Sequence, residues 1–79
     1  MSLSSANISS GEEYHWLEAI PSIDGYKPIG VIGFNTGHIH LKATVCRKLN
    51  NNVQFYAIND ASITLTGIVP QINMLYLKA

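Results

Sequence analysis

Charged residues are scarce in this chain, and long apolar runs are absent. Lysine, arginine, aspartate and glutamate make up only 13% of the 79 residues, and their charges cancel to a formal net charge of zero. A neutral chain has no electrostatic attraction to nucleic acid or to an anionic membrane surface. No apolar run approaches the roughly 18 residues that a membrane-spanning helix needs. We therefore expect neither a nucleic-acid partner nor membrane insertion.

Cysteine is equally scarce, because Cys46 is the only one. One cysteine excludes a disulfide within the chain, although one between chains remains open. A domain of this length buries only about 60% of the surface of its unfolded chain, so such domains are usually reinforced by disulfides, a metal or oligomerisation. Apolar residues form 47% of the sequence. Low charge and small size together favour an oligomer.

The composition changes along the chain. Residues 1–13 are polar and rich in serine, which predicts a flexible lead-in or linker. The abrupt change after Gly11 also fits a piece of a longer protein. Residues 14–79 consist of short β-type runs separated by turn residues, with no helical period. This pattern predicts an all-β fold, a small antiparallel β-sandwich of the jelly-roll kind, assembled as a trimer.

The third run shows the clearest alternation. It places Ile39, Leu41, Ala43 and Val45 on one face of a strand that starts near His38. Turns are predicted at Asp24 and Gly25 and around Asn50, and Gly67 is expected to end the fifth strand. The expected core residues are Ile29, Val31, Ile39, Leu41, Val45, Phe55, Ile63, Leu65 and Leu75.

His38 and His40 are the sharpest chemical feature. Residues two apart in a strand project from one face, so both imidazoles would lie side by side, and imidazole binds zinc, iron, nickel and copper. Two ligands do not complete a site; His15 could supply a third, or three chains could meet around an axis. The simpler interpretation is two polar residues on a solvent-facing strand, and no cofactor is required.

Tyr14 and Trp16 share a face of the first run and are the best candidates for an exposed binding platform. They serve equally well as ordinary strand residues. Cys46 has no nucleophile motif around it, and free cysteine is usually a small buried hydrophobe. The carboxylates are scattered, and a chain of this size has little room for a substrate cleft. We expect no enzyme and no catalytic residue.

Three segments resemble a known family. They are residues 25–35 (GYKPIGVIGFN), residues 53–61 (VQFYAINDA) and residues 74–78 (MLYLK). Together the resemblance covers residues 14–79. It is to the C-terminal domain of minor structural, tail-fibre or baseplate proteins of phages and prophages of Gram-positive bacteria. These are packing motifs, so no functional residue carries over.

The resemblance implies a homotrimer at the distal end of a fibre, in a virion tail or prophage-derived particle, with a role in host adhesion or trimer registration. The segment 36–52 is shorter than in many relatives, which favours a structural cap. His38 and His40 also resemble, in form alone, the His-x-His strands of fibres that bind iron. The expected function is a tip domain that trimerises and binds a cell-surface carbohydrate. The alternatives are a purely structural trimerisation module and a free-standing lectin-like module.

Overall fold

A computed structural model of the protein describes residues 1–79. The chain forms seven strands: β1 Ala6–Ile8, β2 Glu13–Ala19, β3 Tyr26–Asn35, β4 Leu41–Leu49, β5 Asn52–Asn59, β6 Leu65–Ile68 and β7 Gln71–Lys78. There is no helix, so none is long and apolar enough to span a membrane. The prediction of an all-β domain is confirmed.

Every strand pairing is antiparallel. The strands form a three-stranded sheet in the order β2–β5–β4, a two-stranded ribbon β3–β7 and a two-stranded pair β1–β6. The predicted turns have the expected backbone: Gly25 has φ of 78° and Asn50 has φ of 54°. Glycine and asparagine are the residues that adopt this left-handed conformation most readily.

One hydrophobic core joins the three sheets. Strand β5 lies at its centre and alternates strictly, with Val53, Phe55, Ala57 and Asn59 buried. The apolar core residues are Leu3, Ala6, Ile8, Trp16, Ile20, Leu41, Val53, Phe55, Ala57, Leu65, Ile68 and Ile72.

Residues 1–13 are not a lead-in outside the fold, as expected from their composition, but part of it. Leu3, Ala6 and Ile8 are buried, and β1 pairs with β6. The main chain of Met1 exchanges two hydrogen bonds with Ile72, at 2.6 and 2.8 Å. Three apolar side chains in a polar segment are enough to hold it on the core, because buried area and not average composition drives packing. The domain boundary at residue 14 is therefore wrong.

Strand β4 begins later than predicted and carries a β-bulge. Ala43 pairs with Ala57 but Val45 pairs with Tyr56, so one extra residue, Thr44, lies between them. A bulge interrupts the alternation of side chains. Beyond it Cys46 packs against the core, whereas the alternation had placed Val45 there.

The expected core was correct only in part. Leu41, Phe55 and Leu65 are buried, and Val31 and Val45 are half-buried. The prediction was wrong for Ile29, Ile39, Ile63 and Leu75, which are exposed. Ile39 and Ile63 lie outside the strands, before β4 and β6. Ile29 is the extra residue of a β-bulge in β3, which turns its side chain to the outer surface. Strand β6 also runs through Gly67 to Ile68 rather than ending there.

Candidate functional site

Tyr14 and Trp16 do share a face of β2, but this face is the inner one. Trp16 is only 3% exposed, and its indole N–H donates a 2.9 Å hydrogen bond to the carbonyl of Ser4. Its ring centroid lies 5.6 Å from that of Phe55 and 4.5 Å from that of Tyr14, which is half-buried against the core. The expectation of an exposed platform is therefore wrong, because alternation tells which residues share a face but not which face is covered.

His38 and His40 lie in the turn before β4 and not on a strand. Their ring centroids are still only 5.8 Å apart. The backbone N–H of His40 donates to Nδ1 of His38 at 3.1 Å, and Nδ1 of His40 lies 3.0 Å from Oδ1 of Asp60. The turn thus orients both rings.

These contacts decide which ring nitrogens could bind a metal. Because Nδ1 of His38 accepts a hydrogen bond, its neutral ring carries the proton on Nε2 and has no free lone pair there. His40 has the opposite arrangement: a proton on Nδ1 facing Asp60 leaves Nε2 free as a ligand. The structure does not bring His15 to this pair, and no group of three or more His, Cys, Asp or Glu side chains is placed to hold a metal. Each chain therefore offers one imidazole nitrogen, Nε2 of His40, that is free to bind a metal. Metal binding stays a prediction.

His15 instead belongs to a cluster on the outer surface of the sheet β2–β5–β4, which we call the polar face. Its residues are Glu13, His15, Thr44, Arg47, Gln54 and Tyr56. Nε2 of His15 lies 2.7 Å from Oε1 of Glu13, and the imidazole stacks on the ring of Tyr56 with centroids 3.6 Å apart. The hydroxyl of Thr44 donates to Oε2 of Glu13 at 3.1 Å.

The same chain of contacts continues across the sheet. The amide of Gln54 donates to the hydroxyl of Tyr56 at 2.9 Å, and Nε of Arg47 donates to Oε1 of Gln54 at 2.6 Å. Sequence reasoning did not single out this cluster. The signal available was that Glu13 and His15 are two apart in a strand, as are Gln54 and Tyr56.

Hydrogen bonding lowers the pKa of Glu13. The largest contribution is the bond to His15, followed by the one from Thr44. The carboxylate is therefore charged throughout the neutral range. The Glu13 and His15 pair lies on an open sheet surface, and its polar atoms are directed at each other.

Cys46 lies half-buried against the core. Burial raises the pKa of its thiol. Since the thiolate is the nucleophile, this environment disfavours covalent chemistry at neutral pH.

A shallow depression of about 370 Å³ lies at the end of the molecule where β2 leads into β3. Apolar side chains such as Ile20 and Ile23 and polar ones such as Lys27 and Asn51 line it, with Tyr26 half-exposed at its side. The depression is separate from the His38–His40 pair and from the Glu13–His15 pair, because no residue of either pair lines it.

The outer surface of the ribbon β3–β7 is of another kind. We call it the apolar face and define it by Ile29, Ile32, Leu75 and Leu77, all of which are exposed. Its one charged residue is Lys27, which pairs with Leu77 near one end of the ribbon.

Comparison with protein families, with curated proteins and with solved structures finds no match for this chain.

Proposed function

We propose that this chain is a non-enzymatic structural domain that assembles with copies of itself, as the trimeric tip of a phage-tail or fibre-like particle. The observation that carries the proposal is apolar exposure. Eleven large apolar side chains are exposed on a chain of 79 residues that has only ten charged ones. A domain of this size is marginally stable alone, and contiguous exposed apolar patches mark interaction surfaces.

The packing fits a sandwich. The inner side of β2–β5–β4 presents Phe55, and the ribbon β3–β7 presents Phe34 against it, with ring centroids 5.5 Å apart in an edge-to-face arrangement. We infer that these two sheets are the layers of the sandwich and that β1–β6 closes one side of the core. Such a sandwich has two outer surfaces, one with the polar face and one with the apolar face, and assembly of copies would cover the apolar face.

Between adhesion and a purely structural role, the interior position of Trp16 favours the structural one. The aromatic platform expected for carbohydrate is not on the surface. The segment between β3 and β4 is also short, from Thr36 to His40, so no long loop extends from the sandwich there. The domain is best described as a trimerising cap.

Carbohydrate binding is a second candidate, and the depression at the β2–β3 connection favours it. It combines the half-exposed ring of Tyr26 with the hydroxyl of Ser22, the amide of Asn51 and the ammonium of Lys27. An aromatic surface beside hydrogen-bonding groups suits a sugar ring, which has apolar faces and polar edges.

The mass of the protein in solution tests the first proposal. Sedimentation equilibrium across the micromolar range should give three times the 8.7 kDa chain mass. A monomer at every concentration contradicts the assembly role.

A glycan array probed with the purified protein tests the second candidate. Binding to a glycan that is abolished by Tyr26→Ala and by Asn51→Ala supports carbohydrate binding. Absence of binding by the intact oligomer rejects it.

A further inference from the structure

The aliphatic side chains of the apolar face reach solvent because of two β-bulges in β3. Pro28 pairs with Tyr76 and Gly30 with Leu75, so Ile29 is an extra residue; Ile32 is another, between the pairs Val31–Met74 and Gly33–Asn73. At a bulge two residues oppose one on the partner strand. Ile29 therefore joins Leu75, and Ile32 joins Asn73, on the outer surface. Each bulge adds one isoleucine beside a glycine.

The glycine geometry agrees with this assignment. A Cβ added to Gly33 would lie 3.4 Å from Nδ2 of Asn73, which places both on the same side of the ribbon. Val31, between the two bulges, is half-buried and packs against the core. The bulges thus separate the valine, which packs inward, from the two isoleucines, which do not.

The apolar face lacks the charged residues that a polar partner would need. Strands β3 and β7 contain no acidic residue, and their lysines lie together at one end, where Lys27 pairs with Leu77 and Tyr26 with Lys78. The middle of the ribbon has only Asn73 as a polar outward residue. An occupant of this face must itself be apolar and uncharged.

The exposed area is of the size that an interface needs. Ile29, Ile32, Leu75 and Leu77 are 44, 67, 38 and 53% exposed. At about 160 Å² for each such residue in an unfolded chain, they present about 330 Å². A standard interface takes about 800 Å² from each partner, of which about 60% is apolar. These four residues therefore provide about two-thirds of one partner's apolar share.

We propose that the apolar face is the contact surface between copies of this chain, so that the ribbons β3–β7 of neighbouring copies pack on one another about the assembly axis. This inference rests on the proposed function and assigns the surface that performs it. The occupant is a further copy of the chain because the apolar face needs an apolar, uncharged partner surface. Each copy presents such a surface in its own apolar face.

The edges of the ribbon fit this arrangement. Strand β7 has β3 as its only strand neighbour, and on its other edge only its start, at Gln71 and Ile72, is covered by the first two residues of the chain. The edge of β3 has Pro28 and the bulges, which oppose further strand pairing. Copies are therefore expected to meet by side-chain packing of their faces and not by strand pairing at the β3 edge.

The test replaces Ile32 and Leu75 by glutamate and compares the double variant with Leu17→Glu. Leu17 is a matched control because it is 59% exposed and lies on β2, on the outer surface of the other sheet. Two unpaired carboxylates would have to be buried in an apolar interface, so the double variant should weaken association by roughly 100-fold or more. Leu17→Glu should leave the association constant unchanged within about twofold.

Sedimentation equilibrium measures association, and far-ultraviolet circular dichroism checks the fold of each variant. Both glutamates replace exposed side chains, so the β-sheet spectrum should persist. A folded monomer for the double variant beside an oligomeric Leu17→Glu supports the inference. An oligomeric wild type whose double variant also remains oligomeric overturns the inference but leaves the proposed function standing. A wild-type monomer overturns the proposed function, and with it the inference. If the double variant unfolds, Ile32→Ser with Leu75→Ser provides the same comparison without introducing charge.

Discussion

Many outward side chains of the sheet β2–β5–β4 are polar and bonded to one another, with Leu17 as an exposed apolar exception, whereas those of the ribbon β3–β7 are mostly aliphatic and contact solvent. On the polar face, Glu13, His15 and Tyr56 satisfy each other by hydrogen bonding and stacking. On the apolar face, two bulges add isoleucines to an exposed pair of leucines. This contrast between the two faces is the basis on which we propose that the apolar face is covered when copies of the chain assemble.

The largest loss of stability is expected when Phe55, the side chain on which both sheets pack, is truncated. Phe55 lies within 6 Å, by ring centroids, of Trp16 in one sheet and Phe34 in the other. Phe55→Ala should lower the free energy of unfolding by about 3–5 kcal/mol, which is comparable with the whole stability of a small domain. Urea denaturation followed by tryptophan fluorescence measures it.

The neighbouring residue gives the control on the polar face. Tyr56 projects from the opposite side of β5 and stacks on His15. Tyr56→Ala should lower the free energy of unfolding by only about 1 kcal/mol. Equal losses for the two variants would contradict the assignment of an inner and an outer side to β5.

A smaller but still large effect is expected in the first strand. Ile8 is fully buried, and its carbonyl accepts a 3.0 Å hydrogen bond from the buried amide of Asn59. Ile8→Ala should lower the free energy of unfolding by about 2–5 kcal/mol, because it leaves a cavity. The matched control, Ile63→Ala at an exposed position, should change it by less than about 0.5 kcal/mol. If Ile8→Ala behaves like Ile63→Ala in thermal and urea denaturation, residues 1–8 do not belong to the core.

The apolar face should also affect how the melting temperature depends on protein concentration. An assembling protein is stabilised by mass action, so its melting temperature should rise with protein concentration. In Ile32→Ala the melting temperature at the higher concentration should fall by roughly 4–8 °C for each kcal/mol of association energy lost, and the rise should shrink once the chains dissociate before they unfold at the lower concentration. In Leu17→Ala the rise should match that of the wild type. Scanning calorimetry at two concentrations a hundredfold apart provides the measurement, and identical rises in all three proteins would remove the distinction between the faces.

The smallest effect is expected on the polar face and depends on pH. The pKa of Glu13 is lowered in the folded state, so the carboxylate stabilises the fold above its unfolded-state pKa. This contribution is lost as pH falls through the folded-state pKa. Between neutral pH and about pH 3 the urea midpoint of the wild type should therefore fall more than that of Glu13→Gln. Parallel declines for both proteins would show that the bonds to His15 and Thr44 do not stabilise the fold.

The sequence predicted the class of fold well because its turn residues are explicit. Gly25 and Asn50 adopt the left-handed backbone that their residue types favour, and the alternation of β5 is uninterrupted. The misplaced core residues share one cause in β3 and β4. A prediction from strict alternation assumes an unbroken strand. The bulges at Ile29, Ile32 and Thr44 instead shift the residues that follow them to the opposite side of the strand.

The candidate site was less predictable, since it depends on what covers each face. Tyr14 and Trp16 were correctly placed on one side of β2, but only the packing of residues 1–8 and β5 shows that this side is interior. His38 and His40 were correctly seen as neighbours, yet their turn hydrogen bonds, and not strand spacing, set their geometry. The polar face joins residues from three strands, which no local pattern reveals.

The pairing of β1 with β6 has a consequence for how the chain folds. Ala6 lies opposite Ile68, and Met1 bonds to Ile72, so the first and last parts of the chain must find each other. Contacts between residues so distant in sequence close large loops, and proteins dominated by such contacts fold in milliseconds to seconds rather than microseconds. During synthesis, strand β1 has no partner until β6 has been made. The hairpin β4–β5, joined at Asn50 and Asn51, is the element that can form first.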